Sequence, residues 1–243
     1  LLRPRIEGEA GFATGLALTE EELAAVRSEI ESQWLARLRR CERPGTVDEI
    51  APLGLARYHE VSHLVDHARI WPKAERIFSP EAVALVRRTS LVRALEAELG
   101  PFVISDEEGL GREEIYWRLV RPMQSADTGP LHADRWFWDL GHGQTPQGCQ
   151  RLKVWVGVIC EPGRSGLRLV PGSHLRDWRY HGELREGFMK PVIDEDVEAL
   201  APVLVETRPG QAVVFHDKLL HGGAMSRGQL TRVSFEFTMF VRP

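Results

Sequence analysis

From Ile115 to Val241 the chain breaks into short runs of β-branched and aromatic residues. The runs are Ile115 to Val120, Leu152 to Ile159, Leu167 to Val170, Val203 to Thr207, Ala212 to Phe215 and Val233 to Val241. Turn residues separate them, among them Glu161-Pro162-Gly163, Pro171-Gly172 and Arg208-Pro209-Gly210. Many short strands with Pro and Gly between them close into a sandwich or barrel. The first hundred residues read differently. Thr19 and Glu22 form a capping box, and Leu23, Val26, Ile30, Trp34 and Leu38 follow at helical spacing. A second helical stretch opens at Ser79-Pro80-Glu81, is interrupted near Ser90 and stops at Gly100-Pro101. The expectation is one domain over 1–243, mainly β with flanking helices. Its helical part covers about 1–100 and its barrel about 101–243. Two stretches look irregular, about Met123 to Gln150 and Gly172 to Pro202, and loops of that length usually carry function.

Composition excludes several roles. Lys+Arg 31 against Asp+Glu 35 gives a net charge of -4, which is no electrostatic footprint for nucleic acid. No apolar run approaches the roughly 18 residues of a membrane helix. The N-terminal residues show no signal-peptide pattern, so a cytoplasmic location is expected. Three cysteines, Cys41, Cys149 and Cys160, form no metal-type spacing and no disulfide framework.

The chemistry concentrates in Gly129-Pro130-Leu131-His132-Ala133-Asp134. On an extended strand His132 and Asp134 leave the same face, and an imidazole and a carboxylate then reach one metal. His221 lies in Phe215-His216-Asp217-Lys218-Leu219-Leu220-His221-Gly222-Gly223, past an expected strand and before a glycine pair. Two histidines and a carboxylate make the facial triad of non-haem Fe(II) oxygenases, which leaves three positions for cosubstrate and O₂. Arg232 and Ser234 share a face at the start of the last strand. A guanidinium beside a hydroxyl suits a carboxylate, such as the distal one of 2-oxoglutarate. Each motif alone is weak.

Together with Gly166-Leu167-Arg168-Leu169-Val170-Pro171-Gly172-Ser173-His174, these pieces resemble the phytanoyl-CoA dioxygenase-like branch of the Fe(II)/2-oxoglutarate oxygenases. The match runs from about Ile115 to Val241, in the family's order. It implies a double-stranded β-helix, also called a jelly roll or cupin-like barrel. It further implies Fe(II) on His132, Asp134 and His221, with 2-oxoglutarate on Arg232 and Ser234 and O₂ as second cosubstrate. Trp155 matches an aromatic that packs against the cosubstrate. By the same register Trp117, rather than Arg118, faces the pocket. His174 belongs to the turn and is not a ligand.

The resemblance also bears on the reaction. A halogenase of this kind needs a small residue where Asp134 stands, so hydroxylation, ring closure or desaturation is expected. Arg135, Trp136, Trp138 and Trp178 are expected at the barrel mouth, where rings and charges suit a small polar substrate such as a sugar or aminocyclitol natural product. No basic cluster suits a CoA pyrophosphate. Two rival readings remain. One is a cupin-like metal-dependent isomerase or sensor without 2-oxoglutarate, against which Arg232 and Ser234 speak. The other is a zinc peptidase through His59-Glu60-Val61-Ser62-His63, an H-E-x-x-H sequence without its metzincin continuation.

Overall fold

The computed structural model describes residues 1–185 and 188–242. Its helices are α1 (Arg3–Glu7), α2 (Glu20–Cys41), α3 (Pro44–Ile50), α4 (Tyr58–Val61), α5 (His67–Ile70), α6 (Pro80–Arg87), α7 (Ser90–Leu99) and α8 (Asp134–Asp139). Its strands are β1 (Phe12–Ala17), β2 (Val103–Ile104), β3 (Tyr116–Val120), β4 (Gln150–Ile159), β5 (Leu167–Leu169), β6 (Tyr180–Arg185), β7 (Phe188–Ile193), β8 (Val203–Leu204), β9 (Gln211–His216), β10 (His221–Gly223) and β11 (Arg232–Val241).

Local chemistry explains the helical layer. The Thr19 side chain accepts from the Glu22 N–H, and the Glu22 carboxylate accepts from the Thr19 N–H, so α2 starts with two orphan donors satisfied. The break near Ser90 is a second N-cap, with Thr89 accepting from the Val92 N–H. Val26, Ile30, Trp34 and Leu38 of α2 are buried together with Val86, Leu91, Val92 and Leu95 of α6 and α7.

This layer covers one face of a six-stranded sheet in the order β1-β9-β4-β11-β2, with β3 also paired to β11. Alternation decides which residues meet the helices. Leu152, Val154, Val156 and Val158 of β4 and Val233, Phe235, Phe237 and Met239 of β11 enter the helical core. The opposite face turns inward, where Trp155, Val213 and Phe215 pack on Leu167 and Leu169 of the small sheet β10-β5-β8. The two sheets form the double-stranded β-helix. Both stretches read as irregular contain regular elements, α8 in the first and the β6–β7 hairpin in the second. No helix among the described residues is long and apolar enough to cross a membrane.

A buried polar chain ties the helices to the loop that leads into the H-x-D segment. Trp71 Nε1 donates to the Tyr58 hydroxyl oxygen at 3.2 Å, and that hydroxyl lies 3.1 Å from His67 Nδ1. His67 Nε2 is 3.7 Å from Asp127, which accepts two guanidinium bonds from Arg121. Burial pushes the His67 pKa down to about 4; Asp127 opposes this, and Arg121 and Arg76 add to it. The unfolded chain therefore takes up this proton first as pH falls below the ordinary value near 6.5. His67 supports stability fully above that value and loses its contribution as pH falls towards 4. Between pH 7.5 and pH 5 the loss is about 2 kcal/mol. Urea unfolding of the wild type and His67→Gln at both values isolates it, because other groups titrate equally in both proteins. Equal pH dependence in the two would refute the role given to His67.

Candidate metal centre

His132 and His221 meet across an antiparallel bridge. The His132 N–H donates to the His221 carbonyl at 3.0 Å, and the reverse bond is 2.9 Å. The imidazoles consequently stand side by side, with ring centroids 4.5 Å apart. His132 Nδ1 lies 2.9 Å from the Pro130 carbonyl, and His221 Nδ1 lies 2.9 Å from the Leu219 carbonyl. A carbonyl only accepts, so both protons sit on Nδ1 and both Nε2 lone pairs are free. Asp134 Oδ1 lies 3.6 Å from each Nε2. Among the described residues these three form the one group with metal-ligand geometry, their donor atoms all within 4.8 Å of one another.

The segment is not the continuous strand its spacing suggests. His132 makes the bridge, Ala133 is extended, and Asp134 is already the first residue of α8. The single extended residue keeps His132 and Asp134 on one side, and the chain then turns into the helix. His221 likewise opens β10. The glycine pair behind it answers to close approach. A Cβ on Gly222 would lie 3.2 Å from the Pro130 carbonyl oxygen, and one on Gly223 would lie 3.0 Å from Arg232 Nη2.

The donor set suits a divalent cation. Burial alone would raise the Asp134 pKa, but Lys153, His221 and His132 outweigh it and hold the carboxylate well below its usual range. Burial lowers the His221 pKa to about 4 against the opposing pull of Asp134, so the imidazole is neutral at pH 7, as a ligand must be.

At the start of β11, Arg232 is 2% exposed. Its Nη1 donates to Ser234 Oγ at 3.4 Å, while its Nε is buried without a partner among the described residues. Burial and the nearby Arg118 lower its pKa to about 10, which still leaves it charged. A buried guanidinium without a carboxylate is costly, and a carboxylate ligand would complete it. The guanidinium carbon sits 5.8 Å from the Trp155 ring centroid, so Trp155 shares this inner face.

Trp117 does not. On β3 it pairs with Phe235, whereas Arg118 pairs with Ser234. Its indole donates to Gln33 of α2 and packs against Trp71, within the helical core. Arg118 takes the inner position, with Nε and Nη2 donating to Glu236 Oε1 at 2.8 and 2.6 Å.

The four aromatic and basic residues expected at the mouth also divide. Around α8, Asp134, Phe137 and Trp138 share one side, while Arg135, Trp136 and Asp139 share the other. Phe137 stands edge-on to His132 at 5.2 Å, and Trp138 packs on Phe240 and against Arg151. Arg135 and Trp136 instead line an outer groove of about 200 Å³ with Trp178 and Tyr180, where Trp136 stacks on Tyr180. His174 packs beside His216 and Gly11, apart from the triad. In the H-E-x-x-H segment α4 ends at Val61, His63 is exposed, His59 bonds to Thr231 and Glu60 pairs with Arg57. No metal cluster forms there among the described residues.

The sequence profile of the phytanoyl-CoA dioxygenase (PhyH) family matches residues 13–234. The chain belongs to the PhyH family. This PhyH protein is an Fe(II)/2-oxoglutarate-dependent oxygenase with O₂ as its second cosubstrate. Its fold is similar to that of the non-heme monooxygenase ThoJ (TM-score 0.60, 18% identity, 98% of this chain and 76% of that one). It is also similar to SnoK, a non-heme α-ketoglutarate-dependent carbocyclase from nogalamycin biosynthesis (0.55, 17%, 98% and 85%). A third similar structure is the epimerase SnoN in complex with Fe3+, α-ketoglutarate and nogalamycin RO (0.54, 17%, 100% and 85%). No curated protein matches the sequence.

Proposed function

We propose that this oxygenase oxidises an unactivated C–H bond of a small, polar, hydroxyl-bearing ring compound, by hydroxylation or oxidative ring closure. Iron with 2-oxoglutarate and O₂ supplies an oxidant able to take that hydrogen, with succinate and CO₂ released. The chain's own part is to hold and orient. His132, Asp134 and His221 hold the metal, Arg232 and Ser234 the distal carboxylate, and Trp155 packs beside them.

The observation that carries the substrate class is the Arg118–Glu236 pair. Arg118 stands on the inner face of β3, opposite Ser234, and its side chain is 44% exposed, so the pair is open to a ligand on that face. Among the described residues, its Nη1 and the Glu236 Oε2 make no hydrogen bond. They present a donor and an acceptor side by side, as neighbouring hydroxyls require. The pair is internally neutral, which disfavours a strongly anionic substrate. Asp134 fills the third ligand position, which supports oxygen insertion or ring closure over halogenation.

The test is O₂-dependent succinate release, screened with neutral polyhydroxylated rings, aminocyclitols, carboxylic acids and acyl-CoA thioesters. Stimulation by the first two classes, weakened in Arg118→Met, is expected. Stimulation by acyl-CoA alone would overturn the proposal.

A further inference from the structure

The two oxygens of Asp134 face different partners. Oδ1 looks to both imidazoles at 3.6 Å, whereas Oδ2 lies 3.7 Å from Lys153 Nζ and makes no hydrogen bond among the described residues. Lys153 sits in the middle of the inner face of β4, paired with Phe215 of β9 and Thr238 of β11, and is 6% exposed. A second set of contacts fixes its ammonium. Thr238 Oγ1 is 3.5 Å away and Glu107 Oε1 is 4.0 Å away, and Thr238 Oγ1 donates to that same Glu107 oxygen at 2.9 Å. A lysine in the interior of a strand is rare and costly to bury. Its strand neighbours Leu152 and Val154 serve the helical core on the other face, so the packing of the fold gives no reason for a cation here.

We propose that Lys153 is a positioning residue for the metal centre, restraining Asp134 Oδ2 so that the carboxylate offers iron one oxygen, Oδ1. The inference rests on the Fe(II)/2-oxoglutarate assignment and adds a role for this chain's own lysine. A six-coordinate metal with two imidazoles and one carboxylate oxygen keeps three positions free, two for the 2-oxo acid and one for O₂. A carboxylate bound through both oxygens leaves only two. Lys153 holds the third position open, and Glu107 with Thr238 holds Lys153.

Co(II), bound in the absence of O₂, reports on this without catalysis. Lys153→Met keeps all three ligands and is expected to bind Co(II) as tightly as the wild type or more tightly, because a neighbouring cation is gone. Its Co(II) form is expected to bind 2-oxoglutarate at least about tenfold more weakly, the scale on which supporting contacts tune metal sites. Crystal structures of the two Co(II) forms give the decisive readout. Oδ2 should stay off the metal in the wild type and enter its coordination shell in Lys153→Met, with Lys153→Arg restoring the wild-type arrangement in part. An Oδ2 that stays off the metal in Lys153→Met would overturn the proposal, even if 2-oxoglutarate affinity fell, since simple attraction of the dianion would then suffice. Unchanged 2-oxoglutarate affinity would overturn it as well. Lys153→Gln carries the same test if the methionine variant does not fold. A wild-type protein that bound neither Co(II) nor Fe(II) would instead refute the metal assignment itself.

Discussion

His221→Ala should all but abolish Fe(II) binding, and His132→Ala should do the same. Each removes one of three donors, an imidazole whose Nε2 lone pair is already freed by an Nδ1 bond to the Leu219 or Pro130 carbonyl. The loss should exceed the roughly 10–100-fold cost of deleting a supporting contact, because two remaining ligands no longer define a site. Anaerobic calorimetry with Fe(II) or Mn(II) measures it, and circular dichroism checks that the fold is intact. Asp134→Ala should keep part of the affinity and lose turnover. Full iron affinity in His221→Ala would remove the triad from consideration.

Arg232→Ala should raise the 2-oxoglutarate KM by about a hundredfold or more, since truncating one partner of a buried charge pair costs roughly 2–5 kcal/mol. Arg232→Lys should recover only part, because a single ammonium cannot reproduce the two-pronged guanidinium contact. Loss of folding would mimic this result, but the structure predicts the opposite effect on stability. The Arg232 Nε has no partner among the described residues. Removing the buried charge should therefore leave the thermal midpoint without cosubstrate unchanged or higher. An unchanged KM would place the anchor elsewhere, with Arg118 and Lys153 the nearest other cations on that face.

What could be read from the chain alone follows from how locally each feature is determined. The capping box at Thr19 and the caps at Ser79 and Thr89 act within four residues, and the helices they start were readable to within a turn. The strands β4, β9 and β11 carry strong β-formers and were equally readable. Phe12–Ala17, with Ala, Gly and Leu, has weak strand propensity and becomes β1 because β9 offers its edge. The short aromatic helix α8 depends on tertiary packing in the same way. Placement across a strand was the least accessible property. Tyr116-Trp117-Arg118-Leu119-Val120 is buried at four of its five positions, so its pattern does not say which side faces in. Pairing with β11, more than a hundred residues away, decides that Arg118 does and Trp117 does not. Lys153 carries no motif. The one sign of it was a charge inside the otherwise apolar run Leu152 to Ile159.

The two faces of β11 have a consequence for how such a protein can change. Arg232, Ser234, Glu236 and Thr238 point to the ligand side, while Val233, Phe235, Phe237 and Met239 point to the helices. Chemistry and cohesion are thus written on alternate letters of one segment, with little crosstalk between neighbours. A combinatorial library that varies Glu236 together with its partner Arg118, while keeping Arg232, Ser234, Thr238 and the four apolar residues, should return mostly folded proteins with altered substrate preference. The complementary library should return mostly unfolded ones. A lineage with this arrangement can explore new substrates on the inner letters while the outer ones keep the fold.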